Sequence, residues 1–421
     1  MRVLVLGSGA KDHAITWLFS QSRLINGLFV AKGNIGTDAI ATNLSDVDPS
    51  SPEQVYKACQ EHEINYVFVG TENPLFTGVI DYLNERGIET FGAPKNALQL
   101  EGDRQFAKNF TLRHNIPIPG YKIFEDEQSL SAYILRHRGQ RFVLKKTALA
   151  PSRIMINSSD HDTLMEFARE ILTDGSLLLE ESISGLPVTI TVFTDNDGFL
   201  VFPISSDYTR SEEGDKGSAT GGMGSICPVP INGDEKQQII DRIIEPTLYG
   251  MRVERFAYKG VLTFSVILTQ GGPILVDYHV RFNDPATQAI VPLITSDIVE
   301  ILQAMKNNKL GSFKLEVTHQ STVAVVVASK GYPTKPEIDK EVSPLPLTVR
   351  NNLIMNQPFV FYGAVNKKDD KAITTGGRNV TVVGIGKNII EANKQAYEYI
   401  NLVEFEGAWH RRDIGNRFFE N

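Results

Sequence analysis

The sequence is poor in cysteine, has no long apolar run and carries no excess of positive charge. Its two cysteines among 421 residues, Cys59 and Cys227, lie far apart without metal-ligand spacing, which excludes a disulfide framework and a cysteine zinc site. No run approaches the roughly 20 apolar residues that cross a bilayer, and the N-terminus shows no signal-peptide pattern. The formal net charge of -8 excludes a basic surface for nucleic acid. We therefore expect a cytoplasmic protein that acts on small molecules, with neither nucleic acid nor membrane as a partner.

A complete dinucleotide-binding fingerprint is also missing. The strand pattern Val3–Leu6 leads into Gly7-Ser8-Gly9, but Asp12 stands at the third glycine position. The turn is therefore weak evidence for NAD or FAD. It is still a candidate anion-binding turn, because free N–H groups at the start of a helix attract phosphate.

Short apolar strands alternate with helical segments in the N-terminal part. The strand patterns Val3–Leu6, Leu28–Ala31 and Tyr66–Val69 each run out into a loop containing glycine, asparagine or glutamate. This alternation predicts a doubly wound parallel sheet with its loops along one rim. A chain of 421 residues is too long for one typical core, so we expect further domains.

The middle of the chain predicts a small α/β unit followed by a long loop. Pro117 and Pro119-Gly120 interrupt the chain, and a compact unit follows with a helix near His161–Leu172 and a strand at Leu177–Glu181. The polar segment Ser205–Ser225 lacks a periodic apolar pattern. We predict a loop there, functional or mobile, because the segment is too long to be a simple connection.

Two segments gather residues that suit a ligand site. Strand alternation places Asp277 and His279 on one face, and Arg281 and Asp284 follow where the strand ends. The carboxyl ends of strands are the usual ligand sites of open α/β sheets. The glycines within residues 220–224 allow backbone N–H groups to approach a ligand closely. Taken alone, the first segment is explained equally well by a strand edge with solvated charges.

Several short motifs stand in one order along nearly the whole chain. They are Gly7-Ser8-Gly9 with Asp12-His13-Ala14, Gly33-Asn34 with Gly36-Thr37, Glu72 with Pro74-Leu75, Gln99-Leu100-Glu101-Gly102, Thr220 to Gly224, Arg281-Phe282 with Asp284-Pro285, and Arg411 to Gly415. In this order and spacing, the chain resembles the glycinamide ribonucleotide synthetases, which are phosphoribosylamine–glycine ligases of the ATP-grasp superfamily.

The resemblance implies an α/β protein with the ATP-grasp fold. It places an N-terminal doubly wound parallel-sheet domain at 1–103 and an ATP-grasp region at 104–325. Within that region, a small α/β lid covers about 120–189 and a central α+β core covers 190–325. A β-rich C-terminal domain follows at 326–421.

The resemblance also implies a reaction and its ligands. The family transfers the terminal phosphate of ATP to the carboxylate of glycine, and the amine of 5-phosphoribosylamine attacks the resulting acyl phosphate, in purine biosynthesis. The expected cofactors are ATP and Mg²⁺ or Mn²⁺, and the expected state is a monomer or homodimer. The matching residues are Arg281 and Asp284 for catalysis; Lys108, Lys145, Arg153, Glu180 and Glu181 for ATP; Gly9, Asn34, Gly36, Glu72, Asp207, Thr220, Gly221, Gly222, Met223 and Gly224 for the phosphorylated sugar amine; and Asp277 and His279 for the metal.

The chain departs from the family pattern at the nucleotide positions. Three glycine positions of the family's lid loop are Ala148, Ser152 and Ile154 here, and a loop without those glycines cannot take the same backbone conformation. Pro187 stands where the family has the glutamate that binds the ribose hydroxyls. The nucleotide site is therefore expected to differ from that of the family.

The metal positions differ as well. Asp277 and His279 stand where the family has glutamate and asparagine. Magnesium demands oxygen ligands in octahedral geometry, and imidazole is a poor substitute. We therefore predict weak binding of Mg-ATP. Alternatively, His279 is a packed strand histidine bonded to a neighbour.

Three hypotheses stay open. The protein is a working ligase of this family with a variant nucleotide site, or an ATP-grasp ligase for another amine or acid in a specialised pathway. In the third hypothesis it is a phosphoribosyl-ligand-binding protein that no longer turns over ATP. The retained sugar-phosphate motifs favour the first and third, and the changes at the ATP positions favour the second and third.

Overall fold

The N-terminal part is a five-stranded parallel sheet flanked by helices. The computed structural model describes residues 1–147, 155–173, 175–345 and 357–419. The first strands are β1 (Arg2–Gly7), β2 (Gly27–Lys32), β3 (Thr42–Leu44), β4 (Tyr66–Val69) and β5 (Glu89–Phe91). The first helices are α1 (Ala10–Gln21), α2 (Ile35–Asp38), α3 (Pro52–Glu61), α4 (Glu72–Phe76), α5 (Val79–Asn84) and α6 (Gln99–Gly102). The strand order is β3-β2-β1-β4-β5 with every pairing parallel, which confirms the predicted doubly wound sheet.

Helix α7 (Arg104–Arg113) connects this part to the lid. The Asp103 carboxylate caps the helix by accepting a hydrogen bond from the Phe106 N–H at 2.9 Å. The lid elements are β6 (Tyr121–Phe124), α8 (Glu127–Arg136), β7 (Phe142–Lys146), β8 (Met155–Ser158), α9 (His161–Leu172) and β9 (Leu177–Glu181). Its antiparallel sheet has the order β6-β9-β7-β8, and its apolar side chains form a hydrophobic cluster of their own.

A second antiparallel sheet contains the strand that carries Asp277 and His279. The elements of this stretch are β10 (Leu186–Thr194), β11 (Phe199–Val201), β12 (Ser206–Glu212), β13 (Lys216–Cys227), α10 (Gly233–Ile239), α11 (Glu245–Val253), β14 (Gly260–Thr269), β15 (Gly272–His279), α12 (Ala286–Ile290) and α13 (Ile298–Lys306). The sheet order is β11-β10-β14-β15. Strand β15 lies at the edge, where Asp277 is opposite Ser265 and His279 is opposite Thr263.

The C-terminal part is built around a six-stranded sheet that includes strands β12 and β13. Its further elements are β16 (Ser321–Ser329), β17 (Phe359–Tyr362), β18 (Val365–Lys368), β19 (Lys371–Thr374), β20 (Arg378–Gly386), α14 (Ile389–Ile400) and β21 (Ala408–Trp409). The order is β12-β13-β16-β20-β17, β21 also pairs with β16, and β18 pairs with β19. Sheet membership therefore crosses the predicted division between 104–325 and 326–421. Across the described residues, none of the helices has the length and apolar character needed to cross a membrane.

The prediction of a long loop at Ser205–Ser225 is wrong. Strands β12 and β13 form a hairpin there, and the end of β13 pairs with β16, with Gly224 opposite Val325. Most side chains between Thr209 and Thr220 are exposed or half-buried. Because an exposed hairpin end needs no apolar face, the segment lacks the alternation by which a strand is recognised.

The C-terminal tail packs against the exposed end of this hairpin through Arg411. The buried Arg411 guanidinium donates to the two carboxylate oxygens of Asp413 at 2.8 and 2.7 Å. It also donates to the Arg210 carbonyl and to Asp215 Oδ1, both at 3.0 Å. The guanidinium carbon lies 5.1 Å from the centroid of the Tyr208 ring, within cation–π range. These contacts fix the hairpin against the tail.

Candidate active site

Strand β15 presents its charged residues away from the apolar core. The hydroxyl of Tyr278 points inward and lies 2.8 Å from Thr247 Oγ1, where both groups are buried. Its neighbours Asp277 and His279 point the other way, toward Lys145 and Glu101. The alternation read from the sequence is therefore confirmed for this strand.

Four charged side chains from four elements meet between the lid and the core. We call Lys108, Lys145, Glu180 and Asp277 the lysine cluster. The Lys145 ammonium lies 2.8 Å from Glu180 Oε2 and 3.0 Å from Asp277 Oδ2, and Lys108 pairs with the other Glu180 oxygen. Only Asp277 is appreciably exposed, at 30% of its side chain. The cluster thus brings together two predicted ATP-binding lysines, one predicted ATP-binding glutamate and one predicted metal ligand.

The pKa shifts show that the pairing holds these charges despite burial. Burial raises the pKa of the Asp277 carboxyl, but the Lys145 ammonium and the Arg104 guanidinium outweigh it and leave that pKa below its ordinary value. Burial lowers the pKa of Lys145, yet the carboxylates of Asp277 and Glu180 leave it raised. For Glu180, burial is outweighed by Lys145 and Lys108, so the pKa is lowered. Asp277, Lys145 and Glu180 therefore stay ionised at neutral pH.

A second network joins His279 to Arg281 through the buried carboxylate of Glu101. Glu101 Oε1 lies 3.2 Å from His279 Nδ1, accepts a hydrogen bond from Arg281 Nε at 3.1 Å and forms an ion pair with Arg281 Nη2 at 3.0 Å. Glu101 Oε2 accepts from the Val280 N–H at 3.0 Å. The other ring nitrogen, His279 Nε2, lies 3.0 Å from Ser265 Oγ. Both ring nitrogens of His279 thus have protein partners, as the packed-histidine alternative requires.

The predicted sugar-phosphate residues converge around Arg281 and Asp284. Glu72, at the start of α4, pairs with the Arg281 guanidinium. Asp284 Oδ1 accepts a hydrogen bond from Arg378 Nη1 at 2.8 Å, and the same nitrogen donates to the Gly221 carbonyl at 2.8 Å. Residues 220–224 of β13, which we call the glycine loop, therefore lie next to both the N-terminal domain and the turn after β15.

Gly222 is shaped for close contact with the turn after β15. Its φ is 114°, and a Cβ there would lie 2.5 Å from both the Asp284 carbonyl oxygen and Pro285 Cδ. Thr220 Oγ1 accepts from the Gly222 N–H at 3.0 Å and donates to the Thr209 carbonyl at 2.9 Å. Only glycine permits this backbone approach.

The remaining predicted residues of this hairpin are packed within the fold. Met223 is fully buried, and a Cβ on Gly224 would lie 2.6 Å from the side chain of Ile414. Asp207 Oδ2 accepts from Thr189 Oγ1 at 2.8 Å, and burial raises the pKa of Asp207 to about 6. Contact of these three residues with substrate stays a prediction.

Asn34 and Gly36 shape the loop after β2. The buried Asn34 side chain accepts from the Gly36 N–H at 2.8 Å and donates to the carbonyls of Ser8 at 2.9 Å and Tyr362 at 2.7 Å. A Cβ on Gly36 would lie 2.1 Å from the His13 ring. These contacts favour positioning of the loop, and direct substrate binding by either residue stays a prediction.

The start of α1 adds a buried cation near this point. The Lys11 ammonium donates to the Phe282 carbonyl at 3.1 Å, and burial, followed by the nearby Arg281 cation, lowers its pKa. The Gly9 N–H donates to Asp12 Oδ2 at 2.9 Å. Lys11 and Arg281 therefore place two basic side chains beside the predicted sugar-phosphate residues.

Comparison with known proteins decides the family. Models described as Phosphoribosylglycinamide synthetase match in order, the N domain at 1–101, the ATP-grasp (A) domain at 102–287 and the C domain at 322–417. The chain is 32% identical over 429 residues to the phosphoribosylamine–glycine ligase of Rhodopirellula baltica, covering 99% of this chain and 97% of that protein. The chain belongs to the phosphoribosylamine–glycine ligase family.

Two further relatives support the assignment to this family. The trifunctional purine biosynthetic protein adenosine-3 of Gallus gallus is 34% identical over 426 residues, which cover 99% of this chain and 42% of that longer protein. The crystal structure of the phosphoribosylamine–glycine ligase of Thermotoga maritima has a TM-score of 0.83 at 29% identity, covering 98% of this chain and 100% of that one. The predicted ATP-grasp fold is thereby confirmed.

The structure does not place the predicted ATP-binding residues Glu181 and Arg153 in the lysine cluster. Glu181 has an exposed side chain, and its N–H donates to the Gly120 carbonyl at 2.9 Å. Arg153 lies outside the described residues, as do the lid-loop positions Ala148, Ser152 and Ile154. Their contacts with a nucleotide stay predictions.

The sequence analysis missed four charged residues of this ligase family member. Glu101 lies in a matching motif and Lys11 lies between two parts of another, so the motifs themselves were a signal. Arg378 follows a glycine pair before β20. Arg104 gave no signal, since nothing in its helix marks it as the neighbour of Asp277.

The predicted metal ligands do not fit a magnesium ion as they stand. Asp277 is bonded to Lys145, and His279 uses both ring nitrogens within the protein. Within residues 1–147, 155–173, 175–345 and 357–419, no three His, Cys, Asp or Glu side chains are grouped so as to hold a metal ion. Imidazole is also a poor ligand for Mg²⁺.

A nucleotide fits the same region better. The cavity beside the lysine cluster combines charged walls from Arg104, Lys108 and Asp277 with apolar walls from Met155 and Leu275. Cations beside apolar side chains suit a ligand with a charged and a flat aromatic end. The described residues are thus compatible with ATP on the lid side.

Proposed function

We propose that this protein joins glycine to 5-phosphoribosylamine with cleavage of ATP to ADP and phosphate. Its membership of the phosphoribosylamine–glycine ligase family over nearly the whole chain supports this reaction. The observation that carries the proposal is the junction of the two half-sites. Asp277 of the lysine cluster lies on β15, and Arg281 of the second network lies in the turn that follows β15.

The sugar-phosphate half-site would bind its ligand through charge and the glycine loop. Lys11 and Arg281 supply the positive charge that a phosphate monoester requires. The carboxylates of Glu72 and Asp284 accept hydrogen bonds from amine and hydroxyl groups. The backbone of residues 220–222 approaches closely because of its glycines.

The lid-side half-site would hold the nucleotide and glycine. Lys108 and Lys145 neutralise phosphate charge, and Glu180 keeps both ammonium groups oriented. ATP, as substrate, supplies the phosphate that activates the glycine carboxylate, and the sugar amine then displaces that phosphate. The contribution of the chain is to place the two substrates in line and to exclude water.

One observation favours a second candidate function. Asp277 is paired with Lys145 and His279 is bonded within the protein, so the described residues do not form a magnesium site. A phosphoribosyl-ligand-binding protein that does not turn over ATP would keep the Arg281 side of the site and lose the function of the lid-side half-site. This candidate predicts binding of a sugar phosphate without any ligase reaction.

The test is glycine-dependent release of phosphate from ATP in the presence of 5-phosphoribosylamine. We expect turnover by the native protein with Mg²⁺ or Mn²⁺. Lys145→Met should lower kcat/KM by about 100-fold, because it removes a cation proposed to face phosphate, takes the lysine partner from Asp277 and leaves Glu180 with Lys108 alone. Lys57→Met is the control, since Lys57 is exposed and pairs only with Glu61 one helical turn away.

Three outcomes separate the candidates. Release that requires both glycine and the sugar amine supports the ligase. Binding of ribose 5-phosphate by calorimetry, with no release of phosphate under either metal, supports the binding protein. Release that is independent of glycine contradicts both candidates.

A further inference from the structure

Glu101 lies where the two halves of the proposed active site meet. Its side chain lines the cavity beside the lysine cluster and is 2% exposed. The same carboxylate accepts a hydrogen bond from Arg281 Nε and pairs with its Nη2, and the Arg281 guanidinium also faces Glu72 on the sugar-phosphate side. One buried carboxylate therefore lines the lid-side cavity and also contacts Arg281 of the sugar-phosphate half-site.

His279 adds a hydrogen bond with a defined direction. An ionised carboxylate only accepts, so His279 Nδ1 carries the proton that it donates to Glu101. His279 Nε2 then accepts from the hydroxyl of Ser265. This tautomer satisfies both ring nitrogens within the protein, and one hydrogen bond fixes the role of the other.

We propose that His279 and Glu101 are positioning residues, in which His279 orients the Glu101 carboxylate and Glu101 fixes the Arg281 guanidinium toward the phosphorylated substrate. This inference rests on the proposed function, because that function assigns a sugar phosphate to Arg281. It gives the histidine at the predicted metal position a role that requires no metal ion.

Arg281 depends on such a partner for its orientation. Its side chain is 9% exposed, and a buried cation is stable only when it is paired. One hydrogen bond from Nε and one ion pair from Nη2 to the same carboxylate oxygen restrict the orientation of the guanidinium. Glu72 also pairs with Arg281, but its side chain is 38% exposed, so it restrains the guanidinium less than the buried Glu101 does.

Two substitutions of His279 separate the roles of its ring nitrogens. Asparagine places a polar atom at the position of Nδ1, whereas glutamine reaches the position of Nε2. His279→Asn therefore keeps the hydrogen bond to Glu101, and His279→Gln loses it. The variants test whether the hydrogen bond to Glu101, and not the imidazole ring itself, controls the orientation of the Arg281 guanidinium.

The measurement is the dissociation constant of ribose 5-phosphate, determined by calorimetry without metal. We expect it to rise about fivefold or more in His279→Gln and in Glu101→Gln, and to stay within about twofold in His279→Asn. The Mg²⁺ concentration that half-saturates ATP binding is measured separately, and it should be the same in His279→Gln and Glu101→Gln as in the native protein.

A triad of the same chemistry elsewhere in the chain provides the matched control. Glu254 Oε1 lies 2.7 Å from His114 Nε2 and accepts from Arg113 Nε at 2.9 Å, beside the C-terminal ends of α7 and α11. Because His114 contacts Glu254 through Nε2, asparagine is the substitution that loses this bond. We expect His114→Asn and Glu254→Gln to leave ribose 5-phosphate binding within about twofold of the native value. They control for the general effect of breaking a His–Glu–Arg network.

The outcomes distinguish this inference from the proposed reaction. Equal dissociation constants for His279→Asn and His279→Gln, or a change confined to the Mg²⁺ dependence, overturn the positioning role and favour metal ligation. If the native protein binds ribose 5-phosphate but forms no product, the proposed reaction fails and the variants still decide the positioning role. Failure of the native protein to bind ribose 5-phosphate overturns both.

Discussion

Asp12 is a carboxylate whose burial opposes its charge. It is 3% exposed at the start of α1, where Oδ2 accepts from the Gly9 N–H at 2.9 Å. Burial raises the pKa of Asp12 from 3.8 to about 6, although the Lys11 ammonium acts in the opposite direction. Because the folded state holds this proton more tightly than the unfolded chain, the group contributes stability below about pH 4 and loses it as pH rises through about 6.

We expect Asp12→Asn to stabilise the protein at neutral pH. Asparagine keeps an acceptor oxygen for the Gly9 N–H and has no charge to bury, so the free energy of unfolding should rise by on the order of 2 kcal/mol near pH 7.5. The gain should shrink toward zero near about pH 4. Urea denaturation across this range measures it, with Asp46→Asn at an exposed position as the control. A difference that does not vary with pH would contradict the assignment.

The sequence reveals which residues share a strand face and not which residues they meet. Alternation correctly places Asp277 and His279 together on β15. Their partners Lys145 and Glu101 are 132 and 178 residues away along the chain, and no local spacing encodes such contacts. The packed-histidine alternative for His279 could be supported only from the structure, because the fold brings Ser265 and Glu101 to the two ring nitrogens.

At the level of elements, the turn between β15 and α12 packs closely against the glycine loop of β13. This close packing depends on the absence of a side chain at Gly222. We expect Gly222→Ala to weaken ribose 5-phosphate binding by about tenfold or more and to destabilise the fold by about 2 kcal/mol or more. A methyl group there would meet the Asp284 carbonyl and Pro285 at 2.5 Å. Calorimetry and urea denaturation measure the two effects.

Gly87 supplies the matched control for this substitution. Its φ is 78°, and a Cβ there would meet no described atom within 4 Å. Gly87→Ala therefore carries a left-handed backbone penalty of about 1 kcal/mol without the steric clash, and it should leave ligand binding unchanged. Equal effects of the two substitutions would show that backbone strain, and not contact with the turn, is responsible.

Elements with a clear apolar period were predictable, and the hairpin was not. The sequence gives helix α9 at His161–Leu172 and strand β9 at Leu177–Glu181 with the bounds that the structure has. The helix has one buried face, and the strand is a short apolar run. The outer part of the β12–β13 hairpin is polar and exposed, and it is ordered by its pairing with distant strands and by Arg411.

Over the whole molecule, the lid has its own core while the central and C-terminal segments share one sheet. Leu164 lies in the separate lid cluster, and Val325 lies between Gly224 and Val382 in the six-stranded sheet. We expect Leu164→Ala to cost about 2–5 kcal/mol and to raise hydrogen exchange only in the lid. Val325→Ala should raise exchange in 216–227 and 378–386 together.

Native-state hydrogen exchange followed by mass spectrometry measures both variants. Increased exchange in 378–386 without a change in 216–227 would contradict a shared cooperative sheet. The order of domains was predictable because motifs spread along the chain keep the family order. The shared sheet was not, since the strand pairings that define it join segments far apart in sequence.

The membership of β13 in the C-terminal sheet also bears on how the protein is made. On the ribosome, Cys227 at the end of β13 is synthesised 95 residues before Thr322, the residue of β16 that it pairs with. The nascent chain therefore exposes an unpaired strand edge, which favours non-native strand association, until much later segments emerge. The proposed half-site for the sugar phosphate consequently cannot form before β16 has emerged, and pauses in translation between 227 and 322 would prolong the interval in which this strand edge is exposed.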